Sequence, residues 1–510
     1  MKSERRDSWL THFPKIVASE VARETYPFSK SKLWEKLFHS RLYMLTKIFF
    51  RNWTAGLELG AMAIILCGCG GQNAAPAKAH AESSAPPARA TAEEADRPDA
   101  CQMALAPHAG QGRIDRDIAR QQANVRNETH AFQSLENLGW LFVSKARESF
   151  DPGYYKLAEQ CALCLESRQP RCPEALLLRG HVLQSLHQFK EAEPLAKELV
   201  ARRGLAFDYG LLGDVVMEQG RLSEAAEAYQ TMVDQKPDLQ AYARISYLRW
   251  LKGDVAGAAQ LMRMAASAAS PNSPESAAWV NTRLALLQFQ QGNLGEARQT
   301  CTVALDYQRD YAPALLVEGR LLLAEGRISE ALEPLQRAVR LNPLPDCQWV
   351  LIEALRAAGR SEEAATVDEK LRQTGAAADP RTFALYLASR GGGAAPALDL
   401  ARRELQTRAD VFTHDALAWA LAANGQLDGA RAEMQRALAE GTKDSRLFFH
   451  AAVIFARAGQ KNKARRWLDK VAPMRLLLLP SEQRQWQTTA ANLGQPETTT
   501  TTVTLFTPAK

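Results

Sequence analysis

The sequence lacks the short motifs that mark the common catalytic sites. It has no Gly-x-Ser-x-Gly turn for a nucleophilic serine, no Gly-x-x-x-x-Gly-Lys-Ser/Thr loop for phosphates and no His-Glu-x-x-His pair for zinc. The nine His residues are scattered along the chain, and none stands at a metal-ligand spacing from another. These absences argue against an enzyme and against a resident metal or other cofactor.

The body of the chain also has almost no net charge. Residues 1–68 carry 11 Lys and Arg against 6 Asp and Glu, whereas the remaining residues carry 52 against 51. Proteins that bind nucleic acid through its phosphates need a basic surface, because charge neutralisation drives that binding. The overall charge of +6 belongs mainly to the N-terminal segment. No nucleic-acid partner is expected.

One short apolar run, over residues 59–66, is too brief to span a bilayer. Lys47 and Arg51 precede it and small residues follow it, which is the order of a secretory signal. The following Leu66-Cys67-Gly68-Cys69 resembles the lipobox of bacterial lipoproteins. That resemblance implies cleavage before Cys69 and lipidation of Cys69. Position 70 holds Gly and not the Asp typical of inner-membrane retention. The resemblance therefore favours an outer-membrane lipoprotein facing the periplasm.

The segments around this signal divide the N-terminal region. We expect translation to begin at Met44, which makes residues 1–43 an upstream extension and residues 44–68 the signal segment. An uncleaved signal anchor and a cytoplasmic protein without a signal are the alternatives. Residues 69–112 are rich in Ala and Pro and poor in large apolar residues. This composition predicts a disordered tether.

Helical patterning begins near Arg113, and glycines then recur at a nearly constant spacing. Most gaps are 33 or 34 residues; one is 39, and one of 66 holds two repeats around the turn at residues 391–393. An Ala stands five positions after each of these glycines, so that a helix-ending Gly precedes a closely packed helix. The glycines are Gly220, Gly253, Gly292, Gly326, Gly359, Gly425 and Gly459.

This pattern resembles the tetratricopeptide repeat (TPR), a family of helical hairpins. The match is nearly position for position in one repeat, with Tyr209, Leu212-Gly213, Gly220, Ala225, Tyr229 and Pro237. The resemblance implies an all-α, right-handed superhelical solenoid of about ten hairpins within residues 113–473, each burying its apolar face against its neighbours. Residues 474–494 are expected to form a C-terminal capping helix, and residues 495–510 a Thr-rich tail.

In this family the first helix of each hairpin, helix A, lines a concave groove. Aromatic and Arg side chains concentrate binding energy at interfaces, although rings at these positions can instead pack between repeats. The clamp that holds acidic chaperone tails is not reproduced, since its positions hold residues such as Leu177 and Gly210. Carrying over the family register gives the candidate binding residues His181, Asp214, Tyr247, Trp250, Trp279, Phe289, Arg320, Trp349, Glu353 and Trp419.

Six of the eight Cys residues lie beyond the proposed anchor. One interpretation is a disulfide from Cys172 to Cys164 or Cys161, because the intervening segment is short. A second is that all six are buried thiols. A third is a metal or redox centre at Cys161-x-x-Cys164, although no second pair stands at a zinc-like spacing.

Together these features predict a membrane-tethered TPR scaffold that binds a protein or an extended polymer, either peptide or polysaccharide, in a cell-envelope complex. An accessory factor for polysaccharide or protein export is the alternative among binding proteins. Two alternatives belong to other classes. One is a metal- or thiol-handling protein that uses Cys161, Cys164 and Cys172, and the other is a cytoplasmic TPR regulator.

Overall fold

A computed structural model of the chain describes residues 99–127 and 131–494. The predictions for the upstream extension, the signal segment, Cys69 and the Thr-rich tail lie outside these residues. Within them the secondary structure is helical. No described helix combines the length and the apolar character needed to cross a membrane.

Two helices, α1 (Ala100–Ala104) and α2 (Arg113–Arg126), precede ten helical hairpins. Hairpins 1 to 3 pair α3 (Ala131–Ser149) with α4 (Gly153–Arg168), α5 (Pro173–Ser185) with α6 (Phe189–Arg202), and α7 (Ala206–Glu218) with α8 (Leu222–Gln235). Hairpins 4 to 6 pair α9 (Leu239–Leu251) with α10 (Val255–Ser267), α11 (Pro274–Gln290) with α12 (Leu294–Tyr307), and α13 (Ala312–Ala324) with α14 (Ile328–Leu341).

Hairpins 7 and 8 pair α15 (Pro345–Ala357) with α16 (Ser361–Ala378), and α17 (Pro380–Arg390) with α18 (Ala394–Thr407). Hairpins 9 and 10 pair α19 (Val411–Ala423) with α20 (Leu427–Ala437), and α21 (Ser445–Arg457) with α22 (Lys461–Val471). A 3-10 helix, Ala472–Leu477, and α23 (Pro480–Asn492) follow. The predicted all-α solenoid of about ten hairpins with a C-terminal helix is confirmed.

The small residues of the repeat pattern allow the two helices of a hairpin to pack closely. An added Cβ at Gly213 on α7 would lie 2.3 Å from the ring of Tyr229 on α8. Ala225, at the start of α8, is fully buried. Most consecutive A helices also pack against each other, which places the A helices on the inner face of the array and the B helices outside.

The array closes on itself between hairpins 3–4 and hairpins 8–10. The Ala409 amide donates to the Glu218 carbonyl at 3.0 Å, and the Trp250 indole N–H donates to the Lys443 carbonyl at 3.1 Å. Lys252 pairs with Glu440 at the same contact. These residues lie close to 190 positions apart in the sequence, so the contact joins two separate parts of the superhelix. We call it the closure contact.

Two turn glycines are adapted to the closure contact. Gly220 and Gly253 have φ of 79° and 82°, in the left-handed region that favours glycine. A Cβ added to Gly220 would lie 2.4 Å from the Ala409 carbonyl oxygen, and one added to Gly253 would lie 2.4 Å from that of Gly441. At Gly359, in a turn outside the contact, an added Cβ meets nothing within 4 Å. The repeat glycine thus has a second role at the closure contact.

The segment after hairpin 10 lies on the inner face as well as at the end of the array. The Arg320 guanidinium on α13 donates to the Leu477 carbonyl at 3.3 Å, and the Ser481 amide donates to Glu353 on α15 at 3.0 Å. Glu482 pairs with Arg446 on α21 at 2.7 Å. The 3-10 helix and α23 therefore pack across hairpins 6, 7 and 10.

The predicted disulfide is wrong, because the structure instead joins Cys101 on α1 to Cys164 on α4, with Cα atoms 4.9 Å apart. Cys161 and Cys172 are buried free thiols. The prediction of a disordered tether over residues 69–112 is wrong for its last part, because α1 packs against α4 and the Gln122 amide donates to the carbonyls of Ala104 and Ala106. The composition around Cys101 predicts disorder and gives no sign that this residue reaches α4.

Candidate binding groove on the inner face

Six of the ten predicted groove residues line two adjoining cavities on the inner face. The outer cavity has a volume of about 450 Å³ and is lined by His181, Asp214, Tyr247 and Trp279. The inner cavity has a volume of about 270 Å³ and is lined by Tyr247, Trp250 and Arg320. Tyr247, Met262 and Arg283 line both cavities, so the two adjoin at these side chains. We call them the outer cavity and the central chamber.

Asp214 is held in a network that leaves its charge compensated. The Arg244 guanidinium donates to both oxygens of the Asp214 carboxylate, at 2.9 Å from Nε and 2.7 Å from Nη2. The Tyr229 hydroxyl donates to Asp214 Oδ1 at 2.7 Å. Burial and the Asp214 charge together raise the pKa of Tyr229 well above its ordinary value. A bidentate pair of this kind is rigid, so Asp214 and Arg244 form a fixed part of the groove wall.

His181 contributes a neutral ring. Burial lowers its pKa to about 4, and the nearby Arg244 charge acts in the same direction. Its ring lies 5.3 Å from that of Trp140, measured between centroids. At neutral pH His181 therefore presents an uncharged, aromatic surface to the outer cavity.

Arg283 is the uncompensated charge of the outer cavity. Arg147, which also lines that cavity, pairs with Glu275 at 2.8 Å, and Arg244 pairs with Asp214. The Arg283 guanidinium makes no hydrogen bond or ion pair within residues 99–127 and 131–494 and lies over the Tyr247 ring, 5.4 Å from its centroid. The outer cavity thus combines aromatic rings with one available cation, a combination suited to an anionic or polar group on an otherwise apolar ligand.

The central chamber lies inside the closed part of the superhelix. Its walls come from A helices of hairpins 4 to 10, from Met262 on the B helix α10 and from the 3-10 helix. Trp250 lies against Phe412 of hairpin 9, with ring centroids 5.4 Å apart. The charged residues that face the chamber are three arginines and three aspartates, Arg283, Arg320, Arg446, Asp346, Asp415 and Asp444.

The other four predicted groove residues are buried, three of them in hairpins 7 and 9 and the fourth, Phe289, near the end of α11 in hairpin 5. Phe289, Trp349, Glu353 and Trp419 are each less than 5% exposed. The Trp349 ring lies beneath the Arg446 guanidinium at 4.6 Å, and the Trp419 ring stacks on His450 at 4.1 Å between centroids. The structure does not bring these four residues to either cavity, because neighbouring A helices and the C-terminal segment cover them.

Sequence reasoning found Arg320 but missed two other arginines of the groove. Arg244 and Arg283 each stand four residues after a register position, Gln240 and Trp279 respectively. Residues four apart lie on the same face of a helix. An unexpected Arg at this spacing on two successive A helices was the signal available in the sequence.

The three cysteines proposed for metal or thiol chemistry do not form such a centre. Cys164 is in the disulfide, and burial raises the pKa of the Cys161 and Cys172 thiols. No group of three or more His, Cys, Asp or Glu residues is placed to hold a metal ion in the part of the chain that the structure describes. Thiols with raised pKa are poor nucleophiles and poor metal ligands.

A comparison with family models finds the tetratricopeptide repeat four times, over residues 177–239, 211–274, 316–380 and 416–475. Similar solved structures include a tetratricopeptide repeat protein from Parabacteroides merdae, at 16% identity and a TM-score of 0.34, covering 48% of this chain and 93% of that one. A thermophilic TPR protein from Thermus thermophilus has 22% identity and a TM-score of 0.31, with coverages of 36% and 99%.

The human IFIT1 dimer with PPP-AAAA has 13% identity and a TM-score of 0.41, covering 73% of this chain and 94% of that one. No curated protein sequence matches this chain. The four family matches fall on hairpins that the structure also shows, from α5 to α22.

Proposed function

This chain belongs to the tetratricopeptide repeat proteins, and we propose that it is a membrane-tethered scaffold that binds an extended peptide segment of a partner protein in a cell-envelope complex. TPR proteins act by binding proteins or peptides. The observation that carries the proposal is the outer cavity, with its volume of about 450 Å³, its aromatic rings and the uncompensated Arg283. The proposed role is binding rather than catalysis.

The shape of the outer cavity supports a peptide. The rings that face it include those of Tyr155, Tyr247 and Trp279, residue types that anchor peptide side chains. The hydroxyl of Ser185 and the amide of Gln184 also line it and can bond to a peptide backbone. Apolar pockets with a few fixed polar groups are typical of binding sites.

Site-specific crosslinking tests this proposal. A photo-crosslinking amino acid at Ser276, which lines the outer cavity, should capture a partner protein in the envelope fraction, whereas the same group at Ser361, exposed on the outer helix α16, should not. Trp279→Ala should reduce the capture at least about tenfold, because interface aromatic residues contribute about 2 kcal/mol or more. Trp467→Ala, a partly buried Trp on the outer helix α22, is the matched control. Equal capture from both positions would contradict the proposal.

The proposed membrane tether rests on Cys69, and the disulfide supports the export that this anchor requires. A bond between Cys101 and Cys164 is typical of an oxidising compartment such as the periplasm. We expect Cys69→Ala to leave the protein unlipidated and to release it from the membrane fraction, which fractionation and mass spectrometry of the N-terminus measure. A variant that stays in the membrane with the same N-terminus as the wild type would exclude this anchor, and a cytoplasmic wild type would favour a TPR regulator.

An accessory role in the export of a polysaccharide is the second candidate. The faces of Tyr155, Tyr247 and Trp279 suit sugar rings as well as peptide side chains. The crosslinking experiment separates the two, because a captured glycan and a captured protein differ in their sensitivity to protease. A protease-resistant product at Ser276 would replace the peptide proposal with this one.

A further inference from the structure

The central chamber is enclosed by parts of the chain that are far apart in sequence. Tyr247 and Trp250 on α9 form one side, and Phe412 and Arg446 of hairpins 9 and 10 form the other. The closure contact between Trp250 and Lys443 adjoins it. At about 270 Å³ it approaches the lower limit of small-molecule sites. Its size suits a molecule of a few amino acid residues better than a long polymer.

Three of the six charges around the central chamber already have partners. Arg446 pairs with Glu482 at 2.7 Å, and Asp415 lies 2.9 Å from Nδ1 of the buried His450. Asp444 caps α21 by accepting from the amides of Arg446 and Leu447, and the Gln290 side-chain amide donates to it at 3.1 Å. These groups are committed to the fold.

The other three are only partly satisfied. Arg283 makes no hydrogen bond or ion pair with any described residue, and Arg320 makes one hydrogen bond, at 3.3 Å to the Leu477 carbonyl. The Asp346 carboxylate makes neither a hydrogen bond nor an ion pair within the described ranges, although its charge acts on the nearby Arg446 guanidinium, and each of the three is half-buried. Charges in an enclosed space are costly without partners. The arrangement provides two cations and one anion for a ligand.

We propose that the central chamber binds a short zwitterionic peptide, of two or three residues with both ends free. Arg283 and Arg320 hold its carboxylate, and Asp346 holds its ammonium group. The rings of Trp250 and Phe412, with Leu286 and Leu385, receive an apolar side chain. Because the chamber walls come from both sides of the closure contact, the bound peptide also stabilises the closed superhelix. This site adjoins the outer cavity and shares Arg283 with it, whereas Arg320 and Asp346 line the central chamber and not the outer cavity.

Calorimetry on the purified chain tests the proposal with leucyl-alanine as the probe. We expect saturable binding of the free dipeptide and at least about tenfold weaker binding of its N-acetyl and its C-terminal amide forms, because each blocked end removes one ion pair in an enclosed site. The midpoint temperature of thermal unfolding should rise with the free dipeptide and not with the blocked forms. Equal binding of the free and blocked forms, or no binding at about millimolar dipeptide, would overturn the proposal.

Variants test which residues bind the carboxylate and the ammonium group of the dipeptide. Arg320→Gln should weaken binding of the free dipeptide at least about tenfold, and Arg320→Lys should restore part of it. Asp346→Asn should remove the preference for the free over the N-acetylated form. The matched controls are Arg340→Gln and Asp399→Asn, both exposed on outer helices, and neither should change the affinity. Trp279→Ala, which impairs the outer cavity, should also leave dipeptide binding unchanged, so failure here and failure of the scaffold proposal are distinguishable.

Discussion

The two halves of the superhelix use the same inner-face positions in different ways. In hairpins 2 to 5 these positions hold His181, Asp214, Tyr247 and Trp279, which line an open cavity. In hairpins 7 and 9 the equivalent positions hold Trp349, Glu353 and Trp419, which are buried. Phe289, on the same helix as Trp279, is 1% exposed and belongs with the buried group, so the change falls within hairpin 5. An aromatic residue in the repeat register is therefore a binding residue before this point and a core residue after it.

The cause of this difference lies beyond the repeats. Glu353 on α15 accepts a hydrogen bond from the Ser481 amide, and Arg446, which covers Trp349, pairs with Glu482. Both interactions come from the C-terminal segment, which packs on the inner face of the second half. A repeat array defines a surface, and what covers part of that surface decides which part remains available for a partner.

The largest expected effect is on stability, when one tryptophan from each half is replaced by Ala. Trp349→Ala should destabilise the chain by about 3–5 kcal/mol, because it removes a ring that is 1% exposed and leaves a cavity. Trp279→Ala should cost much less, since that ring is half-buried and faces open space. Urea unfolding followed by circular dichroism measures both. Similar losses for the two variants would show that the halves do not differ in this way.

The next prediction concerns the closure contact that brings the halves together. Gly253→Ala and Gly359→Ala introduce the same backbone strain, since both glycines have positive φ, and we expect about 1 kcal/mol from that strain alone. Gly253→Ala should cost a further 1–3 kcal/mol or so, because its Cβ would lie 2.4 Å from the Gly441 carbonyl oxygen. Urea midpoints of the two variants measure the difference. Equal midpoints would mean that the closure contact contributes little to stability.

The fold was predictable from the sequence because its signals are local. A Gly that ends helix A and an Ala five residues later, as at Gly220 and Ala225, specify a hairpin without reference to the rest of the chain. The outer cavity was partly predictable for the same reason, since His181, Asp214, Tyr247 and Trp279 follow from the repeat register. The signal and the anchor at Cys69 remain predictions.

The remaining features depend on contacts between distant parts of the chain. The burial of Trp349 requires Arg446, almost 100 residues later, and the disulfide requires Cys101, in a segment whose composition predicted disorder. The central chamber exists only because hairpins 4–5 meet hairpins 9–10. Repeat periodicity contains no information about these long-range contacts, because every repeat has the same local pattern whether or not another part of the chain packs on it.

The smallest predicted effect is a pH dependence of stability that arises at the closure contact. Burial raises the pKa of Glu218 to about 7, and the nearby Asp410 carboxylate contributes to the rise. Because the pKa of Glu218 is higher in the folded state than in the unfolded state, the folded state is more stable while Glu218 is protonated. This stability is lost as the pH rises through about 7. The pKa of about 7 already includes the opposing charges of the Arg408 and Arg381 guanidiniums. Since one pKa unit corresponds to about 1.4 kcal/mol, we expect a loss of about 2 kcal/mol between pH 5 and pH 8.

Glu218→Gln removes the titrating group while keeping a side chain of the same shape. The variant should be more stable than the wild type at pH 8 and close to it at pH 5, as measured by urea unfolding at both values. Glu227→Gln, on the exposed face of α8, is the matched control and should behave as the wild type at both. If Glu218→Gln and the wild type lost the same stability between pH 5 and pH 8, the pH dependence would arise elsewhere. A smaller loss in the variant would instead place the source of the pH dependence where hairpin 3 meets hairpin 9. Glu218 and Asp410 come from those two hairpins, and their repulsion exists only while the superhelix is closed.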